Sequence, residues 1–277
     1  MINNIINNNL FRLLRSGVFN EEELVEPMSA FKWKRLLQIA EAHGVTDYVR
    51  IGLLRHKTDP NLDFGHQVFE DVLKNGSANE ECVLPPLPRY DEQPRMMNFF
   101  FNYRLKRIIK EESNNPDITP ETMELLFLII RNANQTLNRG VYLRGIVELG
   151  RFLRDKGNHV DFVSLESSLG KLGLLKMASL HGSILTSFFH FDPNEIPYML
   201  KEDAAAPTIT QRSLNNTATD TAENWHFRMR TNGMVENNSK VFRRNLRRSM
   251  RYIRYNPLET TSNFLANFAK SLSEIEE

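Results

Sequence analysis

The sequence predicts an all-α, multi-helix domain with a long polar loop and little or no β-sheet. Apolar residues recur at spacings of three and four, the helical period. The ends of these stretches carry helix punctuation, with Asn, Ser or Thr before the apolar stripe and Gly or Pro after it. No run alternates apolar and polar residues for long, and the two Asn-Gly pairs, Asn75-Gly76 and Asn232-Gly233, have weak strand flanks.

Residues 1–56 read as a helical segment. Asn8 or Asn9 can cap a short helix through Leu10, Phe11, Leu13 and Leu14, with Gly17 as its stop. Ser29 can cap a second, striped by Phe31, Trp33, Leu36, Leu37 and Ala40 and ended by Gly44. Thr46 can cap a third carrying Tyr48, Val49, Ile51, Leu53 and Leu54. Residues 57–97 form a Pro-rich connector, with a short apolar helix near Val68–Leu73. Its Pro85-Pro86-Leu87-Pro88 favours polyproline II, a geometry that SH3-type domains can recognise.

Residues 98–277 read as the main helical domain, packing with 1–56 as one unit. Phe99, Phe100, Tyr103, Leu105, Ile108 and Ile109 mark a helix that Asn114-Asn115-Pro116 ends. Thr119-Pro120 is a cap followed by proline in the first turn. The helix it opens is apolar nearly all round from Met123 to Leu137, so it should be buried. Helices over 143–153, 160–169 and 172–189 follow, separated by Gly157, Gly170 and Gly173. Residues 201–240 read as the long polar loop, with Trp225 and Phe227 as anchors. Helices over 240–255 and 258–272 close the chain, with Pro257 between them.

Composition excludes several classes. The 277 residues are 41% hydrophobic and 25% charged, as in globular proteins. Thirty-five Lys and Arg against 34 Asp and Glu argue against a globally basic nucleic-acid binder. The lone Cys82 forms no intramolecular disulfide framework and, lacking a nearby histidine, reads as no catalytic thiol. The longest apolar run, Leu125–Ile130, is six residues, far short of a membrane span. Met1–Phe19 lacks a basic leader, so the expected compartment is the cytoplasm.

Chemistry-bearing motifs are sparse. There is no HExxH, CxxC, P-loop, GxGxxG or GxSxG, and no cofactor or metal is implied. His181, His190 and Asp192 span a helix end and a turn, and read as structural. His181-Gly182-Ser183 followed by Asp192 and Glu195 has the wrong spacing for nucleotidyl transfer. Two clusters remain. Lys240, Arg243, Arg244, Arg247, Arg248, Arg251 and Arg254 fall within fifteen residues without an acid. Phe242, Leu246, Met250 and Ile253 stripe the same helix. Its arginines, Arg244, Arg247, Arg248 and Arg251 foremost, read either as a surface for an anionic ligand or protein partner, with nucleic acid less favoured, or as a solvated or internally paired face. Arg131 and Gln135 sit four apart on one helix, and Arg144 and Glu148 four apart on the next. They read as an interhelical polar network or as the remnant of a ligand pocket.

Leu13-Leu14-Arg15-Ser16-Gly17-Val18-Phe19 resembles the opening of a bacterial group of nucleotidyltransferase-like proteins. Phe31-Lys32-Trp33 through Ala40-Glu41-Ala42-His43-Gly44-Val45 resembles its next helix. Leu137-Asn138-Arg139-Gly140-Val141-Tyr142-Leu143-Arg144 resembles its glycine-glycine-leucine-arginine signature. Leu169–Ala178 and Arg251–Glu259 are similar to its later helices. In that comparison Glu148 stands where the group tends to have aspartate, and Arg131 and Gln135 where it tends to have histidines. The likeness covers about 1–56 and 120–277. The group's catalytic core, with Gly-Ser and Asp-x-Asp, would lie between, where this chain has about forty Pro-rich residues. The resemblance therefore implies a degenerate relative that kept the helical flanks. The expected function is non-catalytic binding or assembly. The alternatives are an enzyme or sensor holding a small phosphorylated ligand between helices, and a nucleic-acid binder using 240–255.

Overall fold

A computed structural model describes residues 2–56, 83–87, 93–113, 119–215, 228–229, 235–236 and 239–273. Among them are eleven α-helices: α1 (Ile2–Phe19), α2 (Ala30–Ala42), α3 (Thr46–Arg55), α4 (Phe99–Ser113), α5 (Pro120–Arg139), α6 (Leu143–Lys156), α7 (Phe162–Lys171), α8 (Leu175–Phe189), α9 (Ala206–Asn215), α10 (Ser239–Tyr252) and α11 (Pro257–Ser273). The fold is all-α, as the periodicity predicts. Its only described strands, β1 (Arg228–Met229) and β2 (Val235–Glu236), pair antiparallel over two residues each.

The core sits where α5, α6 and α8 meet. Pro120 occupies the first turn of α5 after Thr119, as expected. The helix then buries Leu125, Leu126, Leu128, Ile129, Ile130, Ala133 and Leu137, more than one stripe's worth. Fully burying such a side chain is worth about 1.5–3 kcal/mol, so α5 is held by packing rather than by propensity. α6 buries Leu143 through Leu153 save Arg144, and α8 buries Met177, Leu180, Ile184, Leu185 and Phe189. Asp161 caps α7, its carboxylate accepting from the Val163 and Ser164 amides at 3.0 and 3.1 Å.

α1 is longer than its expected bounds. It runs through Asn7–Asn9 instead of starting there, and through Gly17 instead of stopping. Asn9 is occupied elsewhere: its amide donates to the Glu26 carbonyl and accepts from the Glu26 N–H, at 2.8 and 2.9 Å. That pins the extended segment after α1 back along the helix. Gly17 is a close-approach glycine. A Cβ there would lie 2.8 Å from Gly52 N, and one at Gly52 would lie 2.9 Å from the Leu13 carbonyl carbon. α1 and α3 thus cross nearly backbone to backbone. On its other side Phe11 stacks on Phe188 at 4.3 Å and meets Phe189 edge-on. Arg15 pairs with Glu21 and Glu23 and donates to the Phe188 carbonyl.

Other expectations are corrected. Val45, not Thr46, is the residue preceding α3. Phe31 is exposed, and α2 buries Trp33, Leu36, Ile39 and Ala40. The helix expected from Phe99 to Ile109 is present as α4, with Phe99, Phe100 and Tyr103 pointing outward and Phe101, Leu105 and Ile108 buried. Residues 201–240 are not wholly loop: Ile209, Thr210 and Leu214 bury one face of α9. Residues 216–227, with Trp225 and Phe227, lie outside the described residues, as do 57–82, with Cys82 and the expected helix at Val68–Leu73.

Candidate functional site

α6 begins without a side-chain cap of its own, so its first amides need partners from elsewhere. His43, just past α2, supplies them. Its carbonyl accepts from Arg144 N at 3.3 Å, and its Nδ1 accepts from Leu143 N at 3.4 Å. Gly44 adopts φ 62°, and a Cβ there would run into Tyr142 and approach the Arg144 side chain. Tyr142 also stacks against His43 at 6.2 Å. The stretches 40–45 and 137–144, separate in sequence, thus build one junction. Burial holds the His43 imidazole down to about 4, offset only in part by the Ser213 backbone.

One turn along α6, Arg144 Nε donates to Glu148 Oε1 at 2.8 Å. The guanidinium side chain is 39% exposed and the carboxylate 6%. That hydrogen bond is the chief reason the Arg144 guanidinium is held even more firmly protonated than usual. Arg151, buried one further turn on, donates to the Pro85 carbonyl at 2.7 Å and to Tyr48 Oη at 3.4 Å. Its guanidinium lies 5.9 Å from the Tyr48 ring centre. Burial is the main cause of a raised Tyr48 pKa. α3, α6 and the Pro-rich segment are therefore joined through charged and phenolic groups.

Among the four polar residues expected as a network or pocket, Arg144 and Glu148 pair. Gln135 is exposed, and a Cβ at Gly145 would come 3.3 Å from its Oε1. Arg131 is half-buried on α5. Sequence reasoning missed Asn132, whose Nδ2 donates to the Gly145 carbonyl at 2.8 Å and joins α5 to α6. An amide inside an otherwise apolar stretch was its signal. A polar cavity of about 290 Å³ opens at the end of α5, lined by Asn134, Gln135, Asn138, Arg139 and Tyr142. Gln135 is the one member of the expected four that lines it.

The Arg144–Glu148 pair carries a testable asymmetry. Removing one partner of a buried pair leaves the other charge uncompensated, at about 3–5 kcal/mol when both are buried. Water reaches Arg144 and Glu148 keeps a further interaction, so Arg144→Met is expected to cost less, about 1 kcal/mol. The double variant Arg144→Met/Glu148→Met should recover most of that. Equal losses in single and double variants, read from urea midpoints, would remove the pair from the account.

The arginine cluster lies on α10. Arg247 is exposed, and Arg248 and Arg251 are half-buried. The side chains of Lys240, Phe242, Arg243 and Arg244 lie outside the described residues. Arg254, after the helix, is internally paired with Asp203 at 3.4 Å and with Tyr255 Oη. The apolar stripe is turned outward: Leu246, Met250 and Ile253 are exposed, Met250 by 65%. Among the described residues of this region, Tyr252 and Tyr255 are buried in the core.

The expected metal candidates are held apart. His181 is wholly buried, with Nε2 3.0 Å from Thr136 Oγ1, while His190 pairs with Glu21 at 2.9 Å. Asp192 caps a short 3₁₀ turn with Glu195. Among the described residues no group of three His, Cys, Asp or Glu side chains is placed to hold a metal ion, and no helix is long and apolar enough to cross a membrane. Comparison of the chain with protein-family models, with curated proteins and with solved structures gives no match.

Proposed function

We propose that the protein is a non-catalytic binding or assembly module, related to the nucleotidyltransferase-like group its flanking helices resemble, and that α10 docks an acidic, amphipathic segment of a protein partner. One observation carries this reading: Leu246 and Met250 on α10 and Ile253 just after it are exposed, in a segment, 240–254, that holds seven cations and no acid. Apolar side chains at helical spacing, left in water beside arginines, match an apolar stripe edged with carboxylates. Arginine forks onto carboxylates, which suits it to such an edge.

The test uses a synthetic helical peptide of alternating leucine and glutamate turns, followed by fluorescence anisotropy. Arg247→Gln/Met250→Ser/Ile253→Ser changes only exposed groups, so the melting temperature should hold while affinity falls at least about tenfold, or 1.4 kcal/mol. Unchanged binding in that variant overturns the reading. Short DNA or RNA bound with a steep salt dependence would favour a nucleic-acid surface instead. The cavity lined by Gln135, Arg139 and Tyr142 supports a second reading, a small phosphorylated ligand. A thermal shift with a nucleotide or inorganic phosphate, abolished by Arg139→Gln, would favour it.

A further inference from the structure

A second exposed apolar group sits at the opening of α4, away from the arginine helix in sequence. Met97, Phe99, Phe100 and Tyr103 are 49%, 77%, 69% and 63% exposed. The helix is not simply turned the wrong way, because Phe101, Leu105 and Ile108 already bury a regular inner stripe. Nor do the aromatics trail from a loose end. Asn98 caps the helix, its Oδ1 accepting from the Phe100 and Phe101 amides at 3.0 and 3.2 Å. Glu259 on α11 accepts from Met97 N and Asn98 N at 2.5 and 2.9 Å, and Asn98 Nδ2 donates to Ser262 Oγ at 3.0 Å. Four large apolar side chains are thus mounted outward on a fixed helix end.

Their surroundings are cationic. Between positions 95 and 110 stand Arg95, Arg104, Lys106, Arg107 and Lys110, all exposed, with no acid. Glu111, beyond them, is engaged by Arg107 at 2.6 Å. Aromatic and sulfur-bearing groups flanked by lysine and arginine suit the boundary between lipid headgroups and acyl chains, where rings sit at headgroup depth and long cationic stems reach phosphate. Two other occupants fit less well. Stacking on successive bases needs rings that present parallel faces. Phe99 and Phe100 instead meet at 78°, 5.8 Å apart. A second copy of the chain docked face to face would set these five cations against five more.

We propose that this end of α4 is a peripheral anchor for an anionic membrane surface. Met97, Phe99, Phe100 and Tyr103 enter the interface, and Arg95, Arg104, Lys106 and Lys110 meet headgroup phosphates. The proposal is independent of the docking face on α10.

Vesicle sedimentation tests it with the full chain. The wild type should sediment with vesicles of equal parts phosphatidylcholine and phosphatidylglycerol, and not with phosphatidylcholine alone. Phe99→Ser/Phe100→Ser/Tyr103→Ser should lower the partition coefficient at least about tenfold with an unchanged circular dichroism melt, because the removed rings were in water. Lys106→Gln/Lys110→Gln should weaken binding and flatten its salt dependence. Arg247→Gln/Met250→Ser/Ile253→Ser should leave partitioning unchanged. No sedimentation, equal sedimentation with both lipid mixtures, or full binding by the aromatic variant each overturns the proposal. Binding of a single-stranded oligonucleotide but not of vesicles, lost in the same aromatic variant, would replace it with a nucleic-acid surface.

Discussion

Alanine at Gly17 or Gly52 is expected to destabilise the fold by at least about 3 kcal/mol, the upper end for inserting one carbon into a packed interior. A Cβ at either position meets backbone, not the movable tip of a side chain: the Gly52 amide in one case and the Leu13 carbonyl carbon in the other, both under 3.0 Å away. Relief therefore requires α1 and α3 to move apart. Leu10, Leu13 and Leu14 on α1 and Val49 and Leu53 on α3 are all buried around that crossing. On an unpacked helix the same change would gain about 1 kcal/mol from propensity, so a measured loss understates the clash. Gly157 is the internal control. It sits in right-handed backbone at φ −56°, and a Cβ there meets nothing within 4 Å. Gly157→Ala should be neutral or stabilise by about 0.5–1 kcal/mol. Urea midpoints of the three variants decide the matter, and similar midpoints for Gly17→Ala and Gly157→Ala would refute the close crossing.

These glycines also show what the sequence could and could not disclose. A glycine at the end of an apolar stripe reads as a helix stop, and at Gly44, with its positive φ, that reading holds. The same letter at Gly17 permits contact with a helix more than thirty residues away, which no local pattern reveals. Apolar period identifies α5 because Leu125–Ile130 is an unbroken apolar run. It marks α4 as a helix, but Phe99, Phe100 and Phe101 are consecutive, so spacing cannot choose which of them turns inward. Around α10 it selects Phe242, Leu246, Met250 and Ile253 as a face without revealing that Tyr252 and Tyr255 are buried.

The candidate site was partly visible for a similar reason. Arg144 and Glu148 lie one helical turn apart, so their pairing follows from spacing alone. Arg151 and Tyr48 are 103 residues apart, and His43 and Leu143 are 100 apart. Only the folded chain brings them together. The resemblance had marked 40–45 and 137–144 as two separate likenesses, and their physical relation is that one caps the other.

Acidification should destabilise the protein steeply between pH 6.5 and 4, and two histidines supply the slope. Burial holds both His43 and His181 at about 4, against 6.5 for an ordinary imidazole. The unfolded chain therefore takes up protons first as pH falls. The stabilisation is fully present above about 6.5, is lost progressively down to about 4, and changes no further below it. Each imidazole contributes about 3 kcal/mol over that interval, at 1.36 kcal/mol per tenfold change in proton activity. Geometry gives His43 a specific reason. Its Nδ1 accepts the Leu143 N–H, so protonating that nitrogen sets donor against donor and removes the cap of α6. His181 sits in a wholly buried place against Thr136. His43→Asn keeps an acceptor near Nδ1 and cannot titrate, and His181→Gln does the same near Nε2. Each should flatten the dependence of the urea midpoint on pH between about 7 and 5, and the double variant should flatten it most. A wild-type midpoint that stays constant over that interval would show that neither imidazole is held neutral by the fold.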